Sequence, residues 1–152
     1  MPIPNPRATA SIAGHPLHVM LVPVPITCFI GVLATDIAYW CSLNPQWADF
    51  SAWLVSIGVI VAAIAAILGL IDFAGERRIR SLAAAWIHGL GNVLVLLLAV
   101  LDAFVHSRDG YTSVVPTGLI LSALTVLVLL VTGWNGWAMV HRHGVGVAGE
   151  RP

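Results

Sequence analysis

WLVSIGVIVAAIAAILGLID, residues 53–72, decides the fold: its only charge is Asp72, at the very end. A helix of that length covers about 30 Å at roughly 1.5 Å per residue, the thickness of a bilayer's hydrocarbon core. Three further runs match it in length and apolarity, near 17–40, 85–104 and 117–138. With 59% apolar residues, 9% charged residues and a mean hydropathy of +0.92, the chain lies far from soluble domains. The connections CSLNPQWADFSA, FAGERRIRSLAA and VHSRDGYTSVVP carry the Gly, Pro, Asn, Asp and Ser of turns. Short connections make antiparallel neighbours, so the expectation is an all-α integral membrane protein, an up-and-down four-helix bundle forming one domain over residues 1–152.

Orientation follows from arginine, because the chain has no lysine. Arg7, Arg77, Arg78, Arg80, Arg142 and Arg151 fall on one side and Arg108 on the other. The positive-inside rule therefore puts both termini and the second connection in the cytoplasm. The location expected is the bacterial cytoplasmic membrane. A net charge of zero with no basic stripe speaks against nucleic-acid binding. MPIPNPRATASIAG followed by a run of about 24 apolar residues does not fit a cleavable signal. Cys28 and Cys41 lie roughly 20 Å apart along one helix, too far for a disulfide.

In lipid, helices approach closely through small residues. Gly58, Ala62, Ala65, Ala66 and Gly69 recur at helical spacing in the second run, for packing within the chain or for a homodimer seam. Trp40, Trp47, Trp53, Trp86, Trp134 and Trp137 lie near helix ends, as interfacial anchors do. Polar groups within the spans sort into two layers about an apolar middle. The cytoplasmic layer holds His15, His18, Asp72, His88, Asn92 and Asn135; the outer layer holds Asp36 with Tyr39, Asp102, and Ser122 with Thr125. No polar lining joins them, which argues against an open channel. Histidine early and aspartate late in both the first and third runs suggest a duplicated hairpin.

GHPLHVMLVPVP, residues 14–25, carries the chemistry. Pro16 suits the first helical position, with His15 near the N-cap and His18 in the first turn. The positive end of the helix field disfavours imidazolium, leaving the neutral ring whose lone pair a metal or haem iron needs. His88 shares that setting, whereas His141 and His143, at a helix C-terminus, read as interfacial cations. Counted from the span midpoints, His18 and His88 differ in depth by about one helical turn. A haem b held between them is one reading, with Asp72 or Asn92 orienting a ring. Interfacial hydrogen bonding or helix capping by the histidines is the structural alternative, and a proton relay the third. Asp36 and Asp102 are either a polar pair holding helices together or a proton site. Pro23 and Pro25 free the carbonyls of Val19 and Leu21, so a bend is expected above His18.

GHPLHVMLVPVPITCFIGVLATDIAYW, with GLIDF, WIHGLGN, LSALTVLVLLVTGWNG and HRHGVGV, resembles the bacterial domain-of-unknown-function family 2231, four-helix membrane proteins with no established activity. The resemblance runs from Gly14 to Val147. It implies a shared His-Pro-x-His start, a helix-two aspartate and a helix-three histidine followed by asparagine, here His15, Pro16, His18, Asp72, His88 and Asn92. Some relatives are joined to Rieske iron–sulfur domains, which implies proximity to electron transfer. Val19 departs from the second proline many members carry, and the chain has no cysteine cluster, so a redox partner would be a separate protein. The expected function is a haem b-binding electron-transfer membrane subunit, with His18 and His88 as axial ligands. The alternatives are a proton-coupled or small-solute transporter working through Asp36 and Asp102, and a structural or assembly protein without ligand. Catalysis has the least support: no Ser/His/Asp set, phosphate-binding glycine loop or HExxH motif occurs.

Overall fold

Asn44 and Pro45 set the first hairpin. The Asn44 side chain accepts from the Gln46 amide at 3.1 Å, and Pro45 takes a first-turn position where a missing N–H costs nothing. Leu43 adopts a left-handed conformation (φ 54°), so only two residues separate the first two spans. The computed structural model describes residues 3–108, 114–147 and 150–151. Its helices are α1 (Leu17–Leu21), α2 (Pro23–Ser42), α3 (Pro45–Gly75), α4 (Arg77–Arg80), α5 (Ala83–His106) and α6 (Leu119–His141). An irregular turn at Val114–Gly118 leads into α6; Asp109 to Ser113 of the third connection lie outside the described residues.

Four helices are long and apolar enough to cross a membrane: Leu17–Ser42, Pro45–Gly75, Ala83–His106 and Val114–His141. The second starts eight residues earlier than the run at 53–72 suggests. Most of CSLNPQWADFSA is helical, because the cap at Asn44 starts the helix before its composition turns apolar. FAGERRIRSLAA likewise holds the single turn α4. In cyclic order α2 packs on α3, α3 on α5, α5 on α6 and α6 on α2, which leaves α2 and α5 diagonal. Phe29, Val95, Ala99 and Leu129 fill the middle, flanked by Ile26, Val59, Ala62 and Val128. Ile60, Leu70, Leu90, Leu97 and Leu130 point outward with all six tryptophans, as lipid contact requires.

Gly58, Ala62, Ala65 and Gly69 of α3 face inward. A Cβ on Gly58 would stand 2.7 Å from the Phe29 ring, so this crossing admits only glycine. Ala65 is buried and Ala66 is the exposed member of the row. At VPVP the helical ladder lacks the donors of Pro23 and Pro25, which separates α1 from α2, yet Val22 keeps helical angles (φ −52°, ψ −35°) and donates to the His18 carbonyl at 3.1 Å.

The chain's two ends meet at the end of the bundle that carries His18. Strand β1 (Ile3–Pro4) pairs antiparallel with β4 (Glu150–Arg151), and β2 (Ser11–Ile12) with β3 (His15–Pro16). Pro16 is therefore the N-cap instead of the first helical residue, so the helix starts one position later than expected, and His15 sits exposed in a hairpin.

Candidate functional site

His18 and His88 come from diagonal elements, α1 and α5, and their rings meet edge-on with centroids 6.0 Å apart. Each ring is anchored in the same way. His18 Nδ1 lies 2.7 Å from the Ala65 carbonyl oxygen of α3, and His88 Nδ1 lies 2.9 Å from that of Thr132 on α6. A carbonyl only accepts, so both Nδ1 atoms donate. In the neutral ring Nε2 then keeps its lone pair, the arrangement found in metal-binding histidines whose second nitrogen donates to a backbone carbonyl. Two imidazoles on one ion, with bonds of about 2.0–2.1 Å, place their centroids about 5–6.5 Å apart, a range that includes the observed separation.

Glycine makes room for both rings. A Cβ on Gly69 would stand 3.0 Å from His18 Nδ1, and one on Gly136 would stand 2.9 Å from the His88 ring. Asn92 Nδ2 donates to the His88 carbonyl at 2.7 Å and stands 3.3 Å from both nitrogens of its ring. Asp72, expected beside an imidazole, is occupied elsewhere: its Oδ1 accepts from the Ala10 amide at 2.6 Å and so ties the N-terminal hairpin to the end of α3. His15 is not brought to the pair. Among the described residues no group of three or more His, Cys, Asp or Glu side chains is placed to hold a metal ion, so this site is a two-histidine seat.

The second polar layer, at the opposite end of the spans and expected to be the outer one, is built on Asp36, which is fully buried. Its Oδ1 accepts from Ser51 Oγ of α3 at 2.6 Å and its Oδ2 from Ser122 Oγ of α6 at 2.8 Å. Thr35 Oγ1 extends the chain at 2.6 Å from Ser51 Oγ. His106 lies between the two aspartates, its Nε2 3.0 Å from Asp36 Oδ1 and its Nδ1 3.1 Å from Asp102 Oδ1. The Nδ1 hydrogen bond goes to the Asp102 carbonyl oxygen at 3.0 Å, so Asp102 Oδ1 is left buried without one. All three side chains are 2% exposed or less. A family model described as a predicted membrane protein, DUF2231, matches residues 14–149.

The chain belongs to the DUF2231 family. No curated protein and no solved structure matches it.

The DUF2231 chain repeats its own geometry. His18 and His88 stand 70 positions apart, as do Asp36 and His106; Ala65 and Thr132, Gly69 and Gly136, and Ser51 and Gly118 all stand 67 apart. Both halves thus place an imidazole on a carbonyl with a glycine one turn later. Both place a second polar group about 27 Å further along the same helical course, against Ser51 in one half and Gly118 in the other. The aspartates suggest a repeat from sequence, yet the partner of Asp36 in it is His106. Reading for Asp36 and Asp102 misses His106 because it ends α5 and falls inside an apparent connection. Its spacing of four from Asp102 is the signal that finds it.

Proposed function

We propose that this DUF2231 protein is a haem b-binding electron-transfer membrane subunit, in which His18 and His88 would hold the haem iron. The observation that carries this reading is the paired anchoring of Nδ1, which leaves the Nε2 atoms of two rings with centroids 6.0 Å apart without a backbone partner, that of His88 facing the Asn92 amide nitrogen at 3.3 Å. When bound, haem b would supply one-electron exchange between ferric and ferrous iron. The chain's own part is to hold the rings: the Ala65 and Thr132 carbonyls set their tautomer, Gly69 and Gly136 admit them, and Asn92 lies against the second. Electrons would pass to or from a separate redox protein at the cytoplasmic end. The reading puts the protein in the bacterial cytoplasmic membrane with both termini on the cytoplasmic side, as the arginines suggest, and does not need a homodimer.

The test is the ultraviolet–visible spectrum of detergent-purified protein, oxidised and then dithionite-reduced, after expression with adequate haem. A Soret band that sharpens and shifts on reduction, with resolved α and β bands, supports the assignment; a featureless spectrum at full protein recovery overturns it. The carrier reading draws on the outer cluster, where His106 lies between two carboxyls. It predicts proton-coupled flux in liposomes that is lost in Asp102→Asn and kept without His18. With neither haem nor flux, a structural or assembly role would stand.

A further inference from the structure

The outer cluster is an unusual object for a bundle in lipid: three ionisable side chains almost completely buried, with hydroxyls supplied from the two remaining helices. Their hydrogen bonds divide them into two parts. Asp36 receives Ser51 and Ser122 on its two oxygens and faces His106 Nε2, so three donors converge on one carboxylate. His106 meets only acceptors, the Asp36 carboxylate at Nε2 and the Asp102 carbonyl at Nδ1, which is the setting of a ring carrying both protons. One imidazolium therefore stands between two carboxyls: its hydrogen bond to a carboxylate goes to Asp36, while Asp102 Oδ1 lies 3.1 Å from Nδ1 without receiving one.

Asp102 is left over. Its Oδ1 is buried with no hydrogen bond, and an ionised carboxylate there would give the cluster one net negative charge at membrane depth. The groups facing it are few. Its side chain stands against His106, and beyond that ring lies Asp36 of α2 with the Ser51 and Ser122 hydroxyls of α3 and α6, both already given to Asp36; Thr125 of α6 donates to the Leu121 carbonyl. Arg108 is exposed beyond the helix end. Among these described groups His106 is the one cation, and it is already paired with Asp36.

We propose that Asp102 is a proton-binding site, taking one proton from water to become a neutral carboxylic acid beside the fixed Asp36–His106 ion pair. The balance is simple: carboxylate plus proton gives acid, and the cluster passes from one negative charge to none. The inference is independent of haem at the histidine seat. It is also narrower than transport, since a proton can bind here without net flux.

Infrared spectroscopy of the full chain in lipid nanodiscs tests it through the C=O stretch of a protonated carboxyl. The wild type should show that band at neutral pH, where exposed carboxyls are ionised, and should lose it on strong alkalinisation. Asp102→Asn should remove the band with helix content unchanged. Asp102→Glu, which keeps the group and guards against misfolding of the amide variant, should move the band in frequency. No band in the folded wild type at neutral pH would overturn the proposal. So would a band that persists in folded Asp102→Asn, or one unmoved in Asp102→Glu.

Discussion

The two polar layers use histidine in opposite ways. At the inner layer each imidazole leans on an uncharged carbonyl of a neighbouring helix and keeps one nitrogen unengaged by backbone; at the outer layer both nitrogens of His106 are held by acceptors, one of them a carboxylate. The first arrangement suits a ligand, because a lone pair is presented without a nearby charge to compete for it. The second suits a charge balance, because the ring answers a carboxylate that the bilayer would otherwise leave uncompensated. The same position in the two halves thus does different work according to which residue its counterpart carries.

The sharpest way to break this contrast is to remove each layer and read both properties. His18→Ala or His88→Ala should abolish the haem spectrum completely, while His143→Ala keeps it; equal cofactor content in all three would end the ligand assignment. Asp36→Ala should leave the spectrum in whatever protein folds, but lower stability by about 3–5 kcal/mol by stranding His106 and two hydroxyls, as chemical unfolding in detergent would show. Gly136→Ala should act between these. The ring it crowds must shift by some tenths of an ångström, and haem affinity should fall about 10–100-fold with little change in melting temperature, measured by haem titration. Asp72→Ala should have the smallest effect, about 1–3 kcal/mol of stability with an unaltered spectrum, because it loses only the bond to the Ala10 amide. A spectral change in Asp72→Ala would return that carboxylate to the histidine seat.

Much of this was legible in the sequence, for identifiable reasons. Four spans follow from apolar length, and the pairing of His18 with His88 follows from depth, since both lie early in helices running the same way. The inner site was less legible in its supports. Backbone carbonyls leave no mark in composition, so Ala65 and Thr132 gave no sign of holding imidazoles, and Gly69 and Gly136 read as ordinary packing glycines. Asp72 looked like a partner because it shares the level of the histidines, but helix rotation turns it toward the N-terminal hairpin. His106 was missed because hydrophobicity sets apparent span ends, and a helix that ends in a buried ion pair runs past its last apolar residue.

The apolar layer of Phe29, Val95, Ala99 and Leu129 has an electrical consequence. A membrane potential falls mainly across the least polarizable part of its path, and here that part lies between the two layers. Moving one charge across the whole membrane is worth about 2.3 kcal/mol per 100 mV, but Asp36 stands only six residues, about 9 Å, from the C-terminal end of its helix. A proton settling at the outer layer therefore crosses a minor share of the voltage.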